Sequence, residues 1–297
     1  MNRKGGALSS MLSVLPPSPL HSAVPRAAGT AQPMVDVAGH AFDDEYEVAE
    51  KLGEGMMASV HVAVHRQSGA VVVCKMADRE EQRGERACEL MRHECGLLYH
   101  IGSHPNVVQI FNFFAAPHCS AIVMDLVRGG DCQQLLQCRG ALAEPMVQSI
   151  MSQLCAALAH LHGHGLLHRD VKLENVLCDA SRTPAKVKLC DLGHSAHSDA
   201  VEQGRVFHGT PAYAAPEVAH EDRQPVWTSA ADVWSAGVVM YALLTNMLPF
   251  DGDRGWEGRP ADLTSSSWWQ VRAPRAHGPS GLVLCPPSRP LPACALT

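Results

Sequence analysis

From Tyr46 onward, apolar and polar positions alternate with a period near two. The runs YEVAEKL, SVHVAVH and AVVVCKM, with turn residues between them, predict three strands. Asn106 to Phe114 and Ala121 to Asp125 predict two more. Elsewhere the spacing is helical. Glu81 to Ile101 reads as a helix with Leu90, Leu97, Leu98 and Ile101 inward. Glu144 to His162 reads as a long helix, with Pro145 in its first turn and Ile150, Leu154, Leu158 and Leu161 recurring near helical spacing. Val187 to Cys190 is a short strand, and Asp232 to Asn246 is a helix apolar on most faces. The two flanks carry neither period. Residues 1 to 44, rich in Pro, Ala, Ser and Gly, predict a disordered leader. Residues 252 to 297 form an irregular tail rich in Pro, Gly, Ser and Trp, whose PPSRPLP run offers a polyproline contact to an SH3-type domain.

Composition narrows the class. The 297 residues are 46% hydrophobic and 18% charged, as in a globular protein. A net charge of -6 gives no electrostatic reason to expect nucleic acid or an anionic membrane as a partner. No apolar run approaches the roughly 20 residues that span a bilayer. Eleven cysteines include no C-x-x-C pair, so reduced thiols and a cytoplasmic location are expected. Arg3, Lys4 and Arg26 precede the first acid, Asp36, as in an organelle transit peptide, but the leader's composition reads as a plain flexible segment. His160, His162, His164 and His168 are crowded, yet Gly163 and Gly165 put a bend among them, so they read as a helix end entering a loop.

That loop holds the chemistry. Leu166 to Gly193 places His168, Arg169, Asp170, Lys172, Asn175 and Asp191 close together in sequence. Phosphoryl transfer from a metal-bound nucleotide needs these residue types. Asn175 and Asp191 offer hard oxygens to Mg2+, Asp170 a carboxylate beside an accepting hydroxyl, and Lys172 a positive charge for the moving phosphoryl group. Farther upstream, Gly53-Glu54-Gly55-Met56-Met57-Ala58-Ser59-Val60 lies between two predicted strands. Glycines there let backbone N–H groups approach phosphate oxygens. Lys75 follows at the end of a valine-rich strand.

These runs resemble the eukaryotic protein kinases of the serine/threonine type: HRD-x-K-x-x-N followed by DLG for DFG, a glycine-rich loop with Ala58 at its third glycine, VVCK for the strand lysine, and Ala215-Pro216-Glu217 for APE. The calmodulin-dependent and AMP-activated kinase-like group is nearest in appearance. The resemblance spans about Tyr46 to Asp251 and implies an α+β, bilobal fold. A small β-rich N-lobe (45 to 127) with one helix would precede a mainly helical C-lobe (128 to 251) that lacks the family's last helices. It implies an enzyme using ATP and Mg2+ on protein substrates. Asp170, Lys172 and Asn175 would be catalytic, and Asn175 and Asp191 would hold metal. The nucleotide would meet Leu52, Gly53 to Val60, Val73, Lys75, Met124, Asp125, Val127, Asp131 and Leu177, with Glu94, chosen over Glu85 and Glu89, pairing with Lys75. Asp131 and Glu174 would favour substrates with basic residues before the acceptor. Asp232 would hold the catalytic-loop backbone, and Glu217 would lack its usual arginine. Arg169 commonly receives an activation-segment phosphate in this family, but the usual phosphosite is Val206 here, so the resemblance predicts activity without that phosphate. The competing expectation is a nucleotide-binding or regulatory protein with impaired catalysis.

Overall fold

The computed structural model describes residues 42–54, 58–79, 84–116, 118–199, 209–219 and 225–250. The expectations for residues 1–41 of the leader, the tail, Gly55, Met56, Met57 and Val206 lie outside the described residues, whereas Phe42, Asp43 and Asp44, expected in the disordered leader, are helical because Phe42 is buried against Tyr46 and Phe114. A short helix α1 (Phe42–Glu45) leads into β1 (Tyr46–Glu54), β2 (Ser59–His65) and β3 (Val71–Asp78). Helix α2 (Gly84–Ile101) follows, then β4 (Ile110–Ala115) and β5 (Cys119–Met124), giving an antiparallel sheet of order β1-β2-β3-β5-β4. Register sorts its two faces. Val62 pairs with Val73, which pairs with Met124, and Val60 pairs with Lys75, which pairs with Ile122. Residues paired across strands share a face, so Val60, Val73, Lys75, Ile122 and Met124 look the same way. The opposite face, Ala63, Val72, Cys74, Ala121 and Val123, is sealed by Phe42, Tyr46 and Phe114 in a separate apolar cluster. Lys75 therefore faces α2, not the outer cluster.

Expected and observed elements differ in one instructive place. Asn106 to Phe114 was expected to be one strand, but β4 begins only at Ile110. Val107 and Val108 leave the sheet because their backbone is used elsewhere. Leu189 donates to the Asn106 carbonyl at 2.8 Å, and Val108 donates to the Leu189 carbonyl at 2.9 Å. That exchange stitches the sheet lobe to the helical lobe.

The second lobe comprises α3 (Cys132–Arg139), α4 (Glu144–Gly163), β6 (Leu166–Leu167), β7 (Val176–Asp179), β8 (Lys186–Leu189), β9 (Ala196–His197), α5 (Pro216–Ala219) and α6 (Ser229–Thr245). Helix α4 buries Val147, Ile150, Leu154, Ala157, Leu158 and Leu161, the face that its spacing predicted. The β7–β8 hairpin rests on it. The Gln153 amide accepts from Val187 N–H at 3.0 Å and donates to the Ala185 carbonyl at 2.7 Å, while Asn106 donates to both Gln153 and Val187. Strand β8 is thereby fixed just before Asp191. No helix among the described residues is long and apolar enough to cross a membrane.

Candidate active site

The strand lysine makes the link between the lobes. Lys75 Nζ donates to Glu94 Oε2 at 2.8 Å and to Asp191 Oδ1 at 3.0 Å. Glu94 is buried in α2 at 3% exposure, whereas Glu85 and Glu89 are exposed, so the helix's buried stripe decides among the three carboxylates. The other Glu94 oxygen accepts from Leu192 N–H at 3.2 Å. One carboxylate thus holds both Lys75 and the backbone just after Asp191. Burial alone would lower the Lys75 ammonium, but Glu94 and Asp191 more than reverse this and raise it. Burial likewise pushes the Asp191 carboxyl up, yet the charge and hydrogen bond of Lys75 outweigh it and hold that group at about 2.

The HRD loop closes the circuit. Asp232, buried at the start of α6, accepts from His168 N–H at 2.8 Å and from Arg169 N–H at 2.9 Å. The His168 ring donates from Nε2 to the Cys190 carbonyl at 3.1 Å, which leaves Nδ1 to accept from Asp170 N–H at 3.3 Å. Asp170 is 5% exposed and fully engaged. Its Oδ2 accepts from Lys172 Nζ at 2.7 Å, and its Oδ1 accepts from the Thr210 hydroxyl at 2.8 Å. Lys172 also donates to Thr210 Oγ1 at 3.0 Å.

Asn175 lies in a single 3-10 turn (Leu173–Asn175). Its Nδ2 donates to the Asp170 carbonyl at 2.7 Å, and its own carbonyl accepts from Cys190 N–H at 3.0 Å. Its side-chain Oδ1 and the second oxygen of Asp191 are left as hard donors on neighbouring segments. This donor set suits Mg2+, which takes one or two protein oxygens and keeps the rest of its shell for phosphate and water.

Gly53, in β1 opposite Val60, has neither a positive φ nor any atom within 4 Å of where a Cβ would stand. The fold does not demand glycine there, and the space it leaves open is room for a phosphate to approach the backbone. Leu52, Ala58, Val60, Val73, Met124, Val127 and Leu177 are all half-buried, as the walls of an open cleft should be. Leu177 forms an isolated bridge with Asp131. Two expected nucleotide contacts have other work to do. Asp131 caps α3 by accepting from Gln134 N–H at 2.8 Å. The Asp125 carboxylate turns away into a buried pair with Lys188 at 2.8 Å and accepts from Gln109 N–H at 2.9 Å, so in the hinge between the lobes, residues 125–127 after β5, only the backbone can meet a base. The nearby histidines interact with backbone and one another: His160 donates to the Ile101 carbonyl at 2.9 Å and stacks on His104 at 4.6 Å.

Thr210 stands beside the Asp170 carboxylate, a contact that its place in the sequence, five residues before Ala215-Pro216-Glu217, does not signal. Gly209 explains the approach. Its φ is 98°, and a Cβ there would lie 2.4 Å from the Arg169 carbonyl oxygen. Gly209→Ala is expected to cost about 1–2 kcal/mol in urea denaturation, from the left-handed backbone alone. Unchanged stability would show that the segment is not pressed against the catalytic loop.

Comparison with known proteins agrees with this geometry. The family model described as protein kinase domain matches residues 46–271. CBL-interacting protein kinase 31 of Oryza sativa subsp. japonica is 37% identical over 236 residues, covering 77% of this chain and 51% of that protein. CBL-interacting serine/threonine-protein kinase 19 of Arabidopsis thaliana is 36% identical over 209 residues, covering 69% of this chain and 42% of the relative. The chain spans about half the length, or less, of these relatives. With its bilobal fold, its Lys75–Glu94–Asp191 bridge and these likenesses, the chain belongs to the serine/threonine protein kinase family.

Proposed function

We propose that the chain transfers the γ-phosphoryl group of ATP to serine or threonine hydroxyls of proteins. The observation that carries this reading is the simultaneous closure of two circuits, Lys75 with Glu94 and Asp191, and Asp170 with Lys172 and Thr210. Asp170 would orient the acceptor hydroxyl and take its proton. Lys172, already beside it, would meet the charge of the moving phosphoryl group, and Lys75 would hold the α and β phosphates. Asn175 and Asp191 would hold Mg2+, which when bound neutralises phosphate charge. Burial pushes the Asp131 carboxyl up, and the negative charge of Glu174 adds to this. Two carboxylates that feel each other beside the cleft favour substrates with lysine or arginine before the acceptor.

A second reading, nucleotide binding with impaired turnover, draws on α6. Val233, Met240 and Leu244 line one stripe of that helix at 60%, 43% and 38% exposure. Exposed apolar side chains of this size forfeit about 1.5–3 kcal/mol each when they could have been buried. One experiment separates the readings. Thermal melts with Mg2+ and a non-hydrolysable ATP analogue are run beside labelled-phosphate transfer from ATP to paired serine peptides, basic or acidic before the acceptor. Analogue at about 100 times its dissociation constant should add about 2.7 kcal/mol of stability, and the basic peptide should be labelled preferentially. A melting shift without label would leave the second reading standing, and neither effect would sink both.

A further inference from the structure

Arg169 adopts a left-handed backbone, φ 65°, which a residue with a side chain holds only when its surroundings impose it. Three contacts do so. Asp232 takes the N–H groups of His168 and Arg169, Arg169 Nε donates to the His194 carbonyl at 2.6 Å, and the guanidinium lies 5.6 Å from the centre of the Trp227 ring. Trp227 stands just before Thr228, the cap of α6, and Asp232 is in the first turn of that helix. One helix end therefore grips the loop twice, at the backbone through Asp232 and at the side chain through Trp227. Trp227 is itself seated on the small apolar cluster of Ala215, Val218 and Ala231.

An anion on Arg169 would do the same work, but this chain has few places to carry one. From Asp199 through Gly209 there is no serine, threonine or tyrosine, and the one exposed hydroxyl just before them, Ser198, donates to Asp199 at 3.4 Å. Ser195 is 1% exposed and donates to the His168 carbonyl, and the Thr210 hydroxyl is held between Asp170 and Lys172. A phosphate on either would need the catalytic loop to open first. The face of an indole attracts a guanidinium without any modification.

We propose that Trp227 is a positioning residue for phosphoryl transfer: its ring holds Arg169, and through Arg169 the Asp170 loop, so that the site assembles without an activation-segment phosphate. This rests on the kinase reading above and adds its regulation. The test uses the full chain as Trp227→Ala, Trp227→Leu and Trp227→Phe. Leucine keeps apolar bulk without an aromatic face, and phenylalanine keeps the face. Turnover of the basic serine peptide is measured before and after phosphatase treatment, alongside hydrogen exchange of the amides of residues 166–175. Phosphatase should leave native turnover unchanged. The Ala and Leu variants should lose kcat about tenfold, with KM for ATP within about twofold, while Phe stays within about threefold of native. Exchange should quicken in Ala and Leu and not in Phe. Loss of native turnover on phosphatase treatment, or a Leu variant that behaves like Phe, would overturn the proposal. If the native chain transfers no phosphate, the kinase reading fails separately, and exchange in Trp227→Leu equal to native would still overturn the lock.

Discussion

Asp170→Asn is expected to lower phosphoryl transfer by about 10²–10⁴-fold while nucleotide binding stays within about twofold of native. The structure explains both halves. Lys172 and Thr210 each donate to an Asp170 oxygen, so the group sits there as an acceptor-only carboxylate. An amide fills the same volume. Its oxygen can face Lys172, and its NH2 can face a Thr210 hydroxyl rotated to accept, so the loop has no reason to collapse. It cannot take a proton from an acceptor hydroxyl. Lys75, Glu94 and Asp191 lie on other elements and keep their bonds. The check is labelled-phosphate transfer beside the melting shift with Mg2+ and a non-hydrolysable ATP analogue. Transfer retained within tenfold would remove Asp170 from the role of base.

Much of this site was legible because its residues are local in sequence or fixed by period. His168, Asp170, Lys172 and Asn175 fall within one loop, and that loop is where they meet in space. Lys75 could be placed because it ends a valine-rich strand after the glycine run, and Glu94 only through the resemblance, since the buried stripe of α2 through Ala87, Met91, Glu94 and Leu98, which leaves out Glu85 and Glu89, is visible in the fold and not in the expected inward set of Leu90, Leu97, Leu98 and Ile101. The rest depends on pairings between distant segments that no period encodes. Thr210 reaches Asp170 across 40 positions, and Asp125 finds Lys188 from across the hinge. A carboxylate in a hinge looks the same in sequence whether it faces a ligand or a buried lysine. Trp227 is a further case, since an aromatic residue before a helix cap is unremarkable until Arg169 is seen lying over its ring. The start of β4 was misplaced for a related reason: alternation reports which residues are apolar, not which strand claims their backbone.

Lys75→Met should abolish measurable transfer and also destabilise the fold, with an unusual pH signature. Removing the ammonium leaves Glu94, whose side chain is 4% exposed, as a buried carboxylate without its cation. Breaking a buried pair in this way costs about 3–5 kcal/mol, a large part of a typical domain's stability of about 5–15. The sign follows from Asp191. In the native chain its carboxyl is held at about 2, below its usual value of 3.8, so its contribution is complete above about pH 4 and lost as pH falls toward 2. Without Lys75 the strongest lowering influence is gone, and burial, opposed only by the weaker influence of His168 and His194, pushes Asp191 up. Its ionisation then opposes folding as pH rises. The stability gap between native and variant should therefore be widest near pH 7 and narrow as pH drops below about 4. Urea denaturation of both proteins at matched pH values measures the gap directly. A gap constant across that range would mean that Lys75 contributes through the packing of its methylene stem, and that its charge is not what joins the two lobes.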